Sequence, residues 1–327
     1  MPDLDSVRRL YPDPPPEAPR SRERARLALV EHIDRRSRRR ALPRRRLALG
    51  GVGLAAAVGA AAIALVGIGN EAGIDASAAA VLRDAAARTL AQEQPPAGAA
   101  LYSKSTNEYM NVRPEDGFSV LVPHIREIWL EDGRGILRTS NGPPRFLSSR
   151  DRQRWIAAGR PQLSEGRGST DTIPLPEPSR LPSDPDALFA AIEDEARGHS
   201  EGTYRQMFTR VGDYLREANE GFAVLTSAQQ AALYEVAARI PGIELIGPVT
   251  DPAGRKGVAV AMANRSDGLR HTLVIDPATG MLLSEEQRTL QNNFHGYPEG
   301  TVVGHSTLLE RKILPAGAPR PRWAKLP

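Results

Sequence analysis

Six histidines, His32, His124, His199, His271, His295 and His305, are the first residues to test for chemistry, and their spacing does not suit a metal. No pair stands as HxH, HxxxH or HExxH, the spacings that put two imidazoles on one face of a strand or helix. Cysteine is absent, which removes disulfides, thiolate nucleophiles and Cys-based zinc or iron–sulfur sites. No GxSxG elbow or phosphate-binding loop occurs, and there is no dinucleotide fingerprint outside one apolar run. Asp184, Asp186, Glu193, Asp194 and Glu195 cluster, but a helix cap followed by a solvated helix face accounts for them. Asp276 and Thr279 lie in Asp-Pro-Ala-Thr-Gly, which turn chemistry explains without a site. Asn264-Arg265-Ser266 would accept a glycan only in a eukaryotic secretory route. The sequence therefore assigns no catalytic, cofactor-binding or metal-ligating residue, and a non-enzymatic role is expected. Trp129 is expected in a core and Trp155 at a pocket mouth, while Trp323 stands alone near the end.

What would position any site is decided by the uncharged run at residues 47–69, which follows Pro43-Arg44-Arg45-Arg46. At ~1.5 Å per residue it spans roughly 35 Å, enough for a hydrocarbon core of about 30 Å. Its bulky residues are few: Leu47, Leu49, Val52, Leu54, Val58, Ile63, Leu65, Val66 and Ile68 stand among Ala and Gly. Residues 1–46 hold 14 Arg against 7 acidic residues, a net +7, whereas residues 70–327 hold 29 basic and 32 acidic groups, a net −3. Positive charge stays cytoplasmic. The expected arrangement is a basic cytoplasmic segment at 1–46, a transmembrane helix at 47–69, a linker at 70–76 and an extracytoplasmic domain at 77–314, with a Pro-rich tail at 315–327. A signal peptide cut near Ala78 and a buried soluble helix are the other readings of the run. The long segment before it speaks against the first, and its unbroken apolar length against the second.

In the cytoplasmic segment, Leu27, Val30 and Ile33 make a narrow apolar stripe behind a Ser21 cap. A short helix docking on a cytoplasmic protein and a basic helix lying on anionic lipid both fit it. Nucleic acid is not an expected partner, because no aromatic residue interleaves with the arginines.

The outer segment reads as α+β: a curved antiparallel sheet with several packed helices. A helix is expected over 77–91, with Ala78, Val81, Leu82, Ala85, Ala86 and Leu90 inward. Strands are expected at 100–110, 125–131 and 135–139, the last two joined at Glu131-Asp132-Gly133. Residues 141–183, rich in Pro and Gly, read as one long loop or lid. Asp184-Pro185 starts a helix that Gly198 closes, a second helix runs over 204–219, and Thr226-Ser227-Ala228-Gln229 is a capping box for a third. A meander follows, with strands at 243–246, 257–263, 271–275, 281–288 and 301–314 and turns at Asp251–Gly254 and Asp276–Gly280.

The phrases Leu181-Pro182-Ser183-Asp184-Pro185-Asp186-Ala187-Leu188, Ala232-Leu233-Tyr234-Glu235-Val236, Asp251-Pro252-Ala253-Gly254 and Ile275-Asp276-Pro277-Ala278-Thr279-Gly280, in this order, resemble a family of actinobacterial single-pass proteins. That resemblance implies a basic cytoplasmic segment, one membrane helix and an outer domain, and no particular activity. The strand pattern is loosely similar to the half-barrels of lipoprotein carriers and of envelope regulators that act on membrane-bound anti-sigma factors. This implies an envelope ligand, a lipid or a peptide, on the concave sheet face, and a cytoplasmic partner of sigma-factor type for residues 1–46. A lipid or lipoprotein carrier, or a structural envelope protein without signalling, is the alternative. The expected location is the cell membrane, with the N-terminus cytoplasmic and no cofactor.

Overall fold

The chain divides into two units, Met1–Val66 and Gly67–Pro327. The computed structural model describes residues 73–324 apart from 93–95, 97, 132, 164–167, 178, 200–201, 266–267 and 291–295. The expectations for residues 1–46, for the apolar run at 47–69, for residues 70–72 of the linker and for His32 and His295 lie outside the described residues. Among the described residues no helix is long and apolar enough to cross a membrane.

The first helix, α1 (Ala76–Leu90), begins where Asp75 caps it, its Oδ1 accepting from the amides of Ser77 at 2.8 Å and Ala78 at 3.2 Å. Ala78, Ala79, Leu82, Ala85, Ala86 and Thr89 face inward. Leu90, expected among them, is 58 % exposed: the helix ends there, and Thr89 takes the last inward position.

Among the described residues ten strands form one antiparallel sheet: β1 (Ala100–Arg113), β2 (Phe118–Leu121), β3 (His124–Glu131), β4 (Arg134–Asn141), β5 (Thr170–Ile173), β6 (Ile243–Thr250), β7 (Lys256–Asn264), β8 (Leu269–Ile275), β9 (Leu282–Thr289) and β10 (Val302–Leu314). The order across the sheet is β5-β4-β3-β1-β10-β9-β8-β7-β6; off this path β2 pairs with the far end of β1, and its Leu121 bridges to Arg145. The expected meander is present as β6 to β10, in which each strand pairs with the next. β1 joins that meander through β10, over the register Ala100↔Leu314 to Tyr109↔Gly304.

Residues 141–183 are not one long loop. They hold α2 (Ser149–Ala157) and β5, and β4 itself runs to Asn141. Ser148 starts α2, its Oγ accepting from the Asp151 amide at 3.1 Å. The short β5 forms because the edge of β4 offers backbone partners from Gly135 to Arg138.

Three helices follow: α3 (Pro185–Ala196), α4 (Thr203–Glu220) and α5 (Ser227–Ala237). Asp184 caps α3, accepting from the Ala187 amide at 2.9 Å, and Pro185 supplies the first helical position. The capping box of α5 is formed by Thr226 and Gln229. Gln229 also donates to the carbonyls of Ser179 at 3.1 Å and Leu181 at 2.7 Å, so the cap pins the strand-to-helix connection.

Helices α1, α3, α4 and α5 share one core over the β6–β9 half of the sheet, where Leu82, Leu188, Phe208, Leu233 and Tyr234 meet Val260, Leu273 and Ile275. Each such side chain contributes about 1.5–3 kcal/mol by burial. The opposite face of the other half carries Ala100, Trp129 and Ile136, covered by Tyr102, Leu314, Ala318 and Trp323. The C-terminal stretch is thus part of the fold, held by Arg320 Nε on Glu131 Oε2 at 2.7 Å. Neither Trp155 nor Trp323 is isolated: Trp155 stacks beside Phe146 at 5.2 Å, and Trp323 lies 6.4 Å from Tyr102.

Candidate functional site

Strand alternation puts Ser103, Ser105, Asn107 and Tyr109 of β1 on the face that α4 covers. Register then brings Arg126 of β3 opposite Ser105, Ser306 of β10 opposite Asn107, and His271 of β8 opposite Gln287 of β9. Helix α4 presents Asp213, Arg216 and Glu220, three and four residues apart, to this polar strip. The seam between α4 and the sheet is therefore charged where the neighbouring core is apolar.

Glu220 is the hub, at 1 % exposure. Its Oε2 accepts from Arg126 Nη2 at 2.7 Å and its Oε1 from Ser306 Oγ at 3.2 Å, with Arg216 Nη1 3.9 Å away. Ser103 Oγ donates to its backbone carbonyl. Arg126 also lies over the Phe222 ring, 4.9 Å from its centroid. Burial pulls the Arg126 guanidinium below its ordinary range, and the Glu220 carboxylate opposes that pull.

Arg216 links this hub to a second carboxyl. It donates through Nη2 to Asp213 at 2.8 Å and through Nε to Glu285 Oε2 at 3.3 Å. Burial alone would lower its basicity, but the carboxylates of Glu285, Asp213 and Glu220 more than reverse this. Glu285 is pushed up to about 8, chiefly by burial; Arg216 opposes the rise, and Asp213 and Glu220 add to it. The side chain as a whole keeps 19 % exposure, yet Oε1 has no solvent contact and no hydrogen-bond partner. Thr209 Oγ1 is likewise buried and unpaired.

Thr209 and Glu285 are among the residues that line a cavity of about 260 Å³ between α4, β8 and β9, with Asp213, His271, Gln287 and Tyr109. That is just below the ~300–1,000 Å³ of sites that enclose a drug-sized ligand. His271 is depressed to about 4 by burial and by the nearby Arg205 charge, so it is neutral at pH 7 and shares a 3.2 Å contact with the Gln287 amide. Tyr109, 47 % exposed, covers Gly304, where a Cβ would meet its ring at 2.6 Å. Burial and then the Glu285 charge push its phenol up to about 12.

Glu285 carries a pH prediction. Its folded value of about 8 lies above the ordinary 4.5, so its contribution to stability is fully present below the unfolded value and is lost as pH rises through about 8. Glu285→Gln is expected to flatten the fall in melting temperature between pH 5 and pH 9. An unchanged slope across that span would refute the assignment.

The residues singled out from the sequence serve structure. Asp186 pairs with Arg239 at 2.6 Å, Glu193 and Asp194 pair with Arg197, and Glu195 accepts from Tyr214 at 3.0 Å and pairs with Arg210. Asp276 Oδ1 and Oδ2 accept from the Ala278 amide at 2.9 Å and from Thr279 Oγ1 at 2.8 Å, closing their own turn. Asn264 is buried in β7. On the opposite sheet face, Thr307 Oγ1 lies 2.9 Å from His305 Nδ1, and His305 Nε2 lies 3.7 Å from Glu108 Oε2. Thr307 is 0 % exposed, so no substrate can reach that relay. Among the described residues no three His, Asp or Glu side chains converge as a metal would require.

No family model matches the chain, and no curated protein sequence matches it either. Solved structures show a slight likeness, two of them as follows. The complex of Pseudomonas aeruginosa MucA and MucB shares 13 % identity at a TM-score of 0.24, over 76 % of this chain and 59 % of that one. MucB in complex with MucA(peri) shares 14 % at 0.24, over 73 % and 57 %. The chain thus spans less than two thirds of the length of either, and so slight a likeness says nothing of what it binds.

The site itself had one signal in the sequence. Leu282-Leu283-Ser284-Glu285-Glu286-Gln287 places two adjacent glutamates in a strand, and alternation sends one of them inward.

Proposed function

We propose that this chain is a single-pass membrane protein whose outer domain binds a polar group of an envelope ligand in the cleft between α4 and strands β8 and β9. One observation carries the reading: a cavity of about 260 Å³ whose lining includes the polar side chains of Thr209, Asp213, His271, Glu285 and Gln287. An acyl chain would meet the polar side chains of Thr209, Asp213, Glu285 and Gln287 in that lining and strip them of water without replacing it. That consideration favours a polar ligand over a lipid cargo, and a binding protein over a lipid carrier.

Location rests on the sequence. The +7 segment before residues 47–69 stays cytoplasmic and the −3 remainder lies outside. Residues 1–46 would then transmit occupancy to a cytoplasmic regulator of sigma-factor type. A pull-down with that segment that retains no cytoplasmic protein removes the coupling, and protease shaving of intact cells that also cuts residues 1–46 removes the topology.

The binding claim is tested on the full chain in nanodiscs, by hydrogen exchange with and without a soluble envelope extract. Slower exchange in α4 and β9 is expected, and it should vanish in Thr209→Trp, which fills the cavity. No protection there, or protection that survives Thr209→Trp, overturns the reading.

A further inference from the structure

The sheet has an open edge in its middle. β10 pairs with β1 as far as Ala100↔Leu314, but with β9 only from Val302 to Thr307. β9 itself begins at Leu282, so Leu309–Leu314 run past its end. Among the described residues no loop backbone bonds to that stretch either. Six residues at about 3.3 Å each leave roughly 20 Å of strand with unpaired backbone groups on one side. Such an edge is a template for another strand. The outer edge at β6 is blunted by contrast: it carries Pro248 and a bulge after Leu245, whose amide donates to Asp75 Oδ2 at 3.2 Å.

The open edge also holds a cation without a partner. Register sets Arg311 beside Ser103, and Ser103 Oγ donates to the Glu220 carbonyl, so Arg311 lies on the helix face. Among the described residues Arg311 makes no ion pair and no side-chain hydrogen bond. Of its nitrogens only Nε is both buried and unpaired, so the two terminal nitrogens are reachable from solvent. Burial alone draws its guanidinium below the ordinary range, with no carboxylate to oppose it. Arg126 and Arg320, also partly buried, have Glu220 and Glu131. Lys312 and Glu310 pair with each other on the other face, which leaves Arg311 as the free charge of this edge. Ile313, two residues on and on the same face, is 38 % exposed.

We propose that a partner polypeptide adds an acidic strand to the free edge of β10 at Leu309–Leu314, its carboxylate pairing with Arg311. Backbone groups supply the affinity of such an added strand and side chains its selectivity. The residue set opposite Arg311 lies on the helix face, where a carboxylate can take two parallel bonds from the guanidinium. An apolar residue two positions away then covers Ile313. A basic strand would oppose like charges. A second copy joined edge to edge about Arg311 would set Arg311 against Arg311, which disfavours self-pairing. This surface is independent of the cleft between α4, β8 and β9.

The test uses the full chain in nanodiscs and reads hydrogen exchange across Leu309–Leu314. Three blocked peptides are titrated: acetyl-Thr-Val-Thr-Glu-Thr-Val-Thr-amide, its counterpart with Gln for Glu, and acetyl-Thr-Val-Pro-Glu-Pro-Val-Thr-amide, which cannot pair as a strand. The first is expected to slow exchange saturably, the Gln peptide to bind at least about tenfold more weakly, and the Pro peptide to give no protection. Arg311→Gln, with its fold checked by a melting curve, should bind the Glu and Gln peptides alike. Equal binding of those two peptides by the unaltered chain overturns the acidic assignment, and protection by the Pro peptide overturns strand addition. Slow exchange before any peptide is added, or no protection by the Glu peptide, overturns the proposal as a whole.

Discussion

Glu220→Ala should cost about 3–5 kcal/mol of stability, the usual effect of stripping one partner from a buried ion pair. At about 2–4 °C per kcal/mol for a domain of this size, the melting temperature falls by roughly 6–20 °C. The size of the loss follows from what remains behind. Arg126 keeps only 21 % side-chain exposure, and with its 2.7 Å partner gone its charge sits beside the Phe222 ring. Ser306 Oγ loses its acceptor, and Arg216 loses one of three carboxylates. A control separates charge from shape. The double variant Arg126→Met with Glu220→Leu removes both charges and should recover most of the loss, because a well-packed apolar pair often equals a buried salt bridge. Urea unfolding of the three proteins decides it. A loss below about 1 kcal/mol in Glu220→Ala would show that the pair is solvated and the hub assignment wrong.

Gly280→Ala is the second large effect, at about 2–6 kcal/mol, the sum of a left-handed non-glycine residue and an overpacked contact. Gly280 has φ +75°, and an added Cβ would stand 2.5 Å from the Ala85 carbonyl oxygen and 2.9 Å from Thr89 Oγ1. The Ala85 carbonyl cannot yield, since it lies within α1, and Tyr234 holds Gly280 in place by donating to its carbonyl at 2.7 Å. Gly254 supplies the comparison. It has φ +83° and open space at its Cβ, so Gly254→Ala measures the backbone strain alone. Equal losses in the two variants, read by chemical denaturation, would mean that the contact with α1 contributes nothing.

The Gly280 turn also shows what was legible in the sequence. Asp276-Pro277-Ala278-Thr279-Gly280 carries its own instructions: an acceptor, a preset φ and a residue for the left-handed position. The α3 cap at Asp184 and the α5 capping box were readable for the same reason, because local hydrogen bonds need local partners. Elements without such signals escaped. Helix α2, Ser149-Arg150-Asp151-Arg152-Gln153-Arg154-Trp155-Ile156-Ala157, has no apolar stripe, and β5 shows three exposed residues out of four. β2 has four buried residues in a row and so no alternation to read. The cleft was hidden more deeply. Glu285, Asp213 and His271 come from β9, α4 and β8, and their meeting is fixed by register, which a one-residue slip would invert.

The pairing of β1 with β10 bears on how the domain is made. Residues 100–109 wait for residues 304–314, a separation of about 200 positions, and β3, β4 and β5 reach the meander only through β1. Contacts so far apart in the chain form slowly, since the loop must close before the pairing rewards it. During synthesis the N-terminal hairpins emerge first and stay unpartnered on one side until the last strand is complete. Ile128 and Leu130, destined for the helix face, are exposed for that interval. A chain halted before β10 would hold two half-sheets with open edges, a form prone to aggregate and a natural client for a holding chaperone.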